Sequence, residues 1–218
     1  MFSQLSTFQL LTIAILPTLF AIVVHEVSHG WVARQLGDNT AYAAGRLTLN
    51  PLKHIDPIGT ILVPAILILT VHFAFGWAKP VPINWHNLHQ PKRDIALVAA
   101  AGPVANLLMA IIWALLMKLG TLLPHDLFLR TPLFYMGLFG ILINAVLLVF
   151  NLVPIPPTDG GRILISLLPP RMAYRVAKIE PYGMFILVGL MLTGVLWKLI
   201  GPVIFSVMML IQKLVGLG

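Results

Sequence analysis

The chain has 218 residues, of which 59 % are hydrophobic and only 10 % charged, with a formal net charge of +7 and no cysteine. A soluble domain carries about 25 % charged residues, so these charges are too few to cover a water-facing surface, and lipid must supply much of the solvent. The missing cysteine excludes disulfides, thiolate metal sites and a cysteine nucleophile. The Lys and Arg residues are scattered among apolar runs without interleaved stacking aromatics, which excludes a nucleic-acid partner and suits the basic flanks of membrane spans.

The fold class is therefore an α-helical multi-pass membrane protein, and no repeat or long hydrophilic block divides residues 1–218 into more than one domain. The opening MFSQLSTFQLL has no basic flank and no small-residue cleavage site, so the first apolar run reads as a retained span. Apolar stretches run over about 8–33, 58–76, 95–118, 134–153 and 184–200, and a shorter one, 202–217, follows Gly201-Pro202. A spanning helix needs about 20 apolar residues. Segments 8–33, 95–118 and 134–153 meet that length, whereas 58–76 is borderline and contains Pro64. Segment 202–217 suits a short span or a helix lying in the interface. The expectation is five or six transmembrane helices.

Two connections have an extended character. In AAGRLTLNPL, Arg46, Thr48 and Asn50 alternate with Leu47 and Leu49, a period of two. In WAKPVPINW the prolines forbid a helix. Flanking 58–76, these pieces are expected to pair as a small β-hairpin or sheet at the membrane face, with 78–84 as its open edge.

The first apolar run contains HEVSHG, residues 25–30, which holds Glu26, one of only two glutamates in the chain. On a helix, His25 and His29 share a face and can bind one metal ion. Glu26 beside them can take a proton from a water held there. An unpaired charge at this depth costs at least about 2.5 kcal/mol, so chance is a poor account of the cluster. A catalytic zinc site needs a third protein ligand. Most of the acidic residues sit in hydrophilic connections, but Asp159 lies in FNLVPIPPTDGGRIL, directly after an apolar run. The prolines and glycines there prevent a continuous helix, and irregular chain at membrane depth must line a protein-enclosed, wet cavity. Asp159 is thus a natural ligand.

HEVSHG and FNLVPIPPTDGGRIL, with AAAGPVANLLMA between them, resemble the site-2 protease family of intramembrane zinc metalloproteases, in its short bacterial branch without added soluble domains. The resemblance implies one zinc ion held by His25, His29 and Asp159, Glu26 as general base, and Asn151 as a stabiliser of the transition state. Asn151 also makes sense as an oxyanion donor, or simply as a helix cap. Asn106, in Gly-Pro-x-x-Asn at the start of a span, reads as structural. His86 and His89, despite their H-x-x-H spacing, read as solvated surface. His54 and His125 read as exposed, and His72 as a hydrogen-bonded structural histidine.

For His29 and Asp159 to meet at one depth, an even number of crossings must separate them, so 58–76 should enter the membrane and return. Arg34, Arg46, Lys53, Lys79, Lys92, Arg93, Arg162, Arg171, Arg175 and Lys178 then share the site's side, against Lys118, Arg130 and Lys198 on the other. That bias puts the site towards the cytoplasmic face of a bacterial cell membrane. The expected activity is hydrolysis of peptide bonds in membrane-protein substrates within the bilayer, that is, regulated intramembrane proteolysis. The rival, a non-enzymatic metal-binding protein or carrier, does not need Glu26 and favours ligands spread along a path.

Overall fold

A computed structural model describes residues 6–71 and 76–217; the His72 expectation and the first five residues fall outside them. Helix α1 (Thr7–Gln35) begins with a capping box in which Ser6 and Gln9 exchange side-chain and backbone hydrogen bonds. A short turn, α2 (Thr40–Ala43), follows. A π-helical turn, Pro57–Leu62, leads into α3 (Val63–Val71). Next come α4 (Pro91–Leu122), α5 (Arg130–Asn151), α6 (Asp159–Leu167), α7 (Pro170–Ala177), α8 (Glu180–Leu192) and α9 (Val195–Leu214).

Among the described residues, four helices are long and apolar enough to cross a membrane: α1, α4, α5 and α9. This is fewer than the five or six expected. The difference arises at the C-terminal end, where the chain breaks at Gly194 rather than at Gly201-Pro202. Gly194 has φ +74° and open space around it, so backbone conformation selects glycine there. The 13-residue α8 is left too short to span, while Pro202 is absorbed inside the 20-residue α9. Membrane helices tolerate such a proline when side chains or water satisfy the freed carbonyl.

The direction of α9 corrects the placement of Lys198. One core cluster joins Leu148, Val149 and Val153, at the end of α5, to Leu196, Ile200 and Ile204 of α9. A second joins Met117 of α4 and Leu138 of α5 to Ile211. Helix α9 therefore runs antiparallel to α5 and starts at the end where α5 finishes. Lys198 belongs to that end, and Lys213 to the end of Lys118 and Arg130.

The described residues at the two ends of segment 58–76 lie together. The Trp77 amide donates to Gly59 O at 3.0 Å, its indole donates to Asp56 at 3.0 Å, and the Thr60 hydroxyl donates to Trp77 O at 2.8 Å. Among the described residues, the long apolar helices between His29 and Asp159 are α4 and α5, an even pair.

The expected sheet does not form: among the described residues there is no strand. Residues 46–54 and 76–84 do lie together, linked by Arg46 donating to Lys79 O at 3.0 Å and the Lys79 amide donating to His54 O at 2.9 Å. Pro80 and Pro82 have no N–H to offer a ladder, and the Val81 amide between them is bonded elsewhere, to Glu26. His54 is buried rather than exposed, its Nε2 against Thr48 O at 2.9 Å. His86, His89 and His125 are exposed as expected.

Candidate metal centre

Helical spacing stacks His25 and His29 on the face of α1 that meets α4, and both are 7 % exposed. Each imidazole uses its Nδ1 to bond outward. His25 Nδ1 donates to Asn106 Oδ1 at 2.6 Å, and His29 Nδ1 donates to the Val98 carbonyl at 2.7 Å. Val98, Gly102 and Asn106 recur every four residues along one face of α4. Gly102 sits between the two anchors because a Cβ there would overlap His29 Nε2 and His25 Cε1. Glycine thus allows α4 to approach the rings closely.

Asp159 arrives from the opposite direction. Thr158 caps α6, its hydroxyl accepting from the Gly161 amide at 3.2 Å while donating to Val153 O. That cap starts the helix at Asp159 and aims the carboxylate at the histidines. Asp159 Oδ2 lies 3.3 Å from His25 Nε2 and 3.4 Å from His29 Nε2, and the two Nε2 atoms are 3.1 Å apart.

These residues fit a zinc ion. With both Nδ1 atoms donating outward, both Nε2 lone pairs face inward toward a carboxylate oxygen that is buried and has no hydrogen-bond partner among the described residues. Three acceptors converging without a proton among them repel unless a cation lies between. Their separations match the edge of a tetrahedron with bonds of about 2.0–2.1 Å, an edge of about 3.3 Å. His25, His29 and Asp159 are positioned to bind one metal ion.

Glu26 follows His25 on α1 and is half-buried, its Oε2 accepting from the Val81 amide at 2.9 Å. Gly30 closes HEVSHG because a Cβ there would overlap Leu47 and Val81, so the chain at 47 and 81 lies directly on the site helix. Asp38, beyond the end of α1, anchors the continuation of that segment. It accepts from the Asn84 amide and the Asn87 side chain, each at 2.9 Å, and from Thr40. Burial pushes the Asp38 carboxyl up, but the hydrogen bonds from Thr40, Asn87 and Asn84 outweigh it and hold the group below its ordinary value.

Asn151 ends α5, and its side-chain amide donates to Leu147 O at 3.0 Å within its own helix. It makes no hydrogen bond to His25, Glu26, His29 or Asp159 among the described residues. Asn106, read as structural, instead holds a histidine of the centre. Sequence reasoning missed Asn144, which is fully buried and bonded to Asn106 at 2.9 Å. Its signal was available: one amide alone in the apolar run FGILINAVLLVF.

The model of Peptidase family M50 matches residues 125–194. A Bacillus subtilis protein named "Putative zinc metalloprotease YwhC" is 38 % identical over 85 % of this chain and 84 % of its own. "Putative zinc metalloprotease Rip2" of Mycolicibacterium smegmatis is 30 % identical over 82 % of this chain and 66 % of its own. No solved structure matches. The family signature around Asp159, the likeness to zinc metalloproteases over most of the chain, and three acceptors spaced for a cation agree: the chain belongs to peptidase family M50, the site-2 proteases, and is a membrane metalloprotease whose metal is zinc.

Proposed function

We propose that the protein is an endopeptidase that cuts membrane-embedded or membrane-adjacent substrates inside the bilayer, in regulated intramembrane proteolysis. His25, His29 and Asp159 are its zinc ligands and Glu26 its general base. The observation that carries this is the convergence of His25, His29 and Asp159 at one buried point, with Glu26 one residue away on the same apolar helix. Ligands gathered at a point do not suit a carrier.

Bound zinc supplies a Lewis acid for the scissile carbonyl and for the attacking water. Glu26 takes the water's proton and passes it to the leaving amine. The Val81 N–H fixes one oxygen of that carboxylate, leaving the other to receive the proton. Asn151 would donate to the developing oxyanion after turning away from Leu147 O. The Pro-broken chain at 152–158, just before Asp159, cannot run on as a membrane helix, which supports a protein-enclosed, wet cavity for the water that hydrolysis consumes. A substrate helix must unwind before attack, since its amides are satisfied internally.

The basic residues support a cytoplasmic site. Lys198 joins the ten cations at the site's end, and only Lys118, Arg130 and Lys213 remain at the far end, the asymmetry of the positive-inside rule. The test is to sequence the new chain termini in membranes from host cells carrying either the wild-type protein or Asp159→Ala. The reading expects termini within or beside apolar spans that appear only with the wild type. Identical fragment sets, or wild-type-dependent cuts confined to soluble domains, would contradict it.

A further inference from the structure

We propose that Asn144, on α5, is a positioning residue for the zinc site: it fixes the orientation of Asn106 and, through Asn106, which nitrogen of His25 faces the metal. The inference rests on the reading of His25 as a ligand.

Asn144 and Asn106 are both fully buried, in helices that cross lipid, where each unpaired amide is costly. Every step between them has a direction. Asn144 Nδ2 donates to Gly140 O at 2.9 Å, so its oxygen must face Asn106. That oxygen accepts from Asn106 Nδ2 at 2.9 Å, and the same amide group donates to Ala21 O at 3.1 Å. With its nitrogen committed to two oxygens, Asn106 presents its own oxygen to His25 Nδ1. His25 therefore carries its proton on Nδ1 and turns a bare Nε2 towards Asp159.

If Asn106 flipped, an N–H would meet Nδ1 and the ring proton would move to Nε2, the nitrogen that must bind metal. Two acceptors oppose that flip, and Asn144 is one of them. Without it, one Asn106 hydrogen is left buried and unsatisfied, and only Ala21 O resists. The simpler account is that Asn144 merely ties α5 to α4, as polar side chains between membrane helices do. The two accounts differ in whether Asn144 matters once Asn106 is gone.

The experiment measures zinc affinity by competition with a chelating dye, and the visible spectrum of the cobalt-loaded protein. The proteins are the wild type, Asn144→Leu, Asn144→Ala, Asn106→Ala and the double variant Asn106→Ala/Asn144→Leu. The Ala variant at 144 guards against overpacking by Leu. Changes in groups that orient metal ligands cost about 10- to 100-fold in affinity. Folded Asn144→Leu and Asn144→Ala should each lose about 10-fold and shift the cobalt bands. Asn144→Leu should add nothing in the Asn106→Ala background. Asn144→Asp, whose neutral acid can donate to Gly140 O while its carbonyl accepts from Asn106, should keep most of the affinity. Unchanged zinc affinity in folded Asn144→Leu and Asn144→Ala, or an equal loss with and without Asn106, would overturn the inference while leaving the zinc site intact. A wild-type protein that binds no zinc would overturn the zinc-site reading and this inference with it.

Discussion

Glu26→Gln should reduce peptide hydrolysis by about 10²- to 10⁴-fold while leaving zinc bound. Gln matches Glu in shape, and its side-chain oxygen can still accept the Val81 N–H that Glu26 Oε2 accepts at 2.9 Å. Segment 78–84 therefore stays docked, and His25, His29 and Asp159 are untouched. What is lost is the capacity to take a proton from water at neutral pH. Glu26→Ala is a poorer test, because it also strands the Val81 amide and disturbs the segment above the site. Zinc content and cleavage rate measured on the same preparation separate the two effects. Undiminished cleavage by the Gln variant would end the general-base assignment.

Gly102→Ala should lower activity by on the order of 10²-fold, the scale expected when a reacting geometry is displaced by about 1 Å, and should weaken zinc retention. Alanine favours a helix over glycine by about 1 kcal/mol, so α4 itself is not at risk. The added methyl has nowhere to go: its nearest neighbours are His29 Nε2, His25 Cε1 and His25 Nε2, the metal-facing side of both rings. Relief requires either turning the imidazoles off their outward bonds to Asn106 and Val98 or pushing α4 away from α1. Both move ligand atoms. Dialysis against a weak chelator, followed by zinc analysis of folded protein, measures the effect. Full zinc occupancy and full activity in this variant would show that α4 does not approach the rings so closely.

The parts of the site that were readable in sequence are those where chemistry contrasts with its surroundings. Glu26 between two histidines in an apolar run is such a contrast, and Asp159 in a Pro- and Gly-broken segment is another. The two long apolar helices between them, α4 and α5, were readable from their length. The expected sheet failed for a reason that alternation cannot reveal. Val81 is the one residue between Pro80 and Pro82 with an amide to give, and a distant carboxylate takes it. The helix break was misplaced because proline was given more weight than a positive-φ glycine, whereas Gly194 stops a helix and Pro202 is carried within one. His54, in a polar connection, reads as surface until the fold buries it against Thr48. Asn106 was noticed for helix packing, yet its distance in sequence from His25 hid their hydrogen bond. Asn144 went unnoticed because a neutral amide carries no charge to arouse suspicion.

Zinc K-edge X-ray absorption on the purified protein tests the central claim most directly. The account predicts one zinc per chain with two imidazoles and further oxygen or nitrogen ligands at about 2.0–2.1 Å, and a changed, depleted site in Asp159→Ala. Zinc without imidazole ligands, or an identical zinc environment in Asp159→Ala, would contradict it.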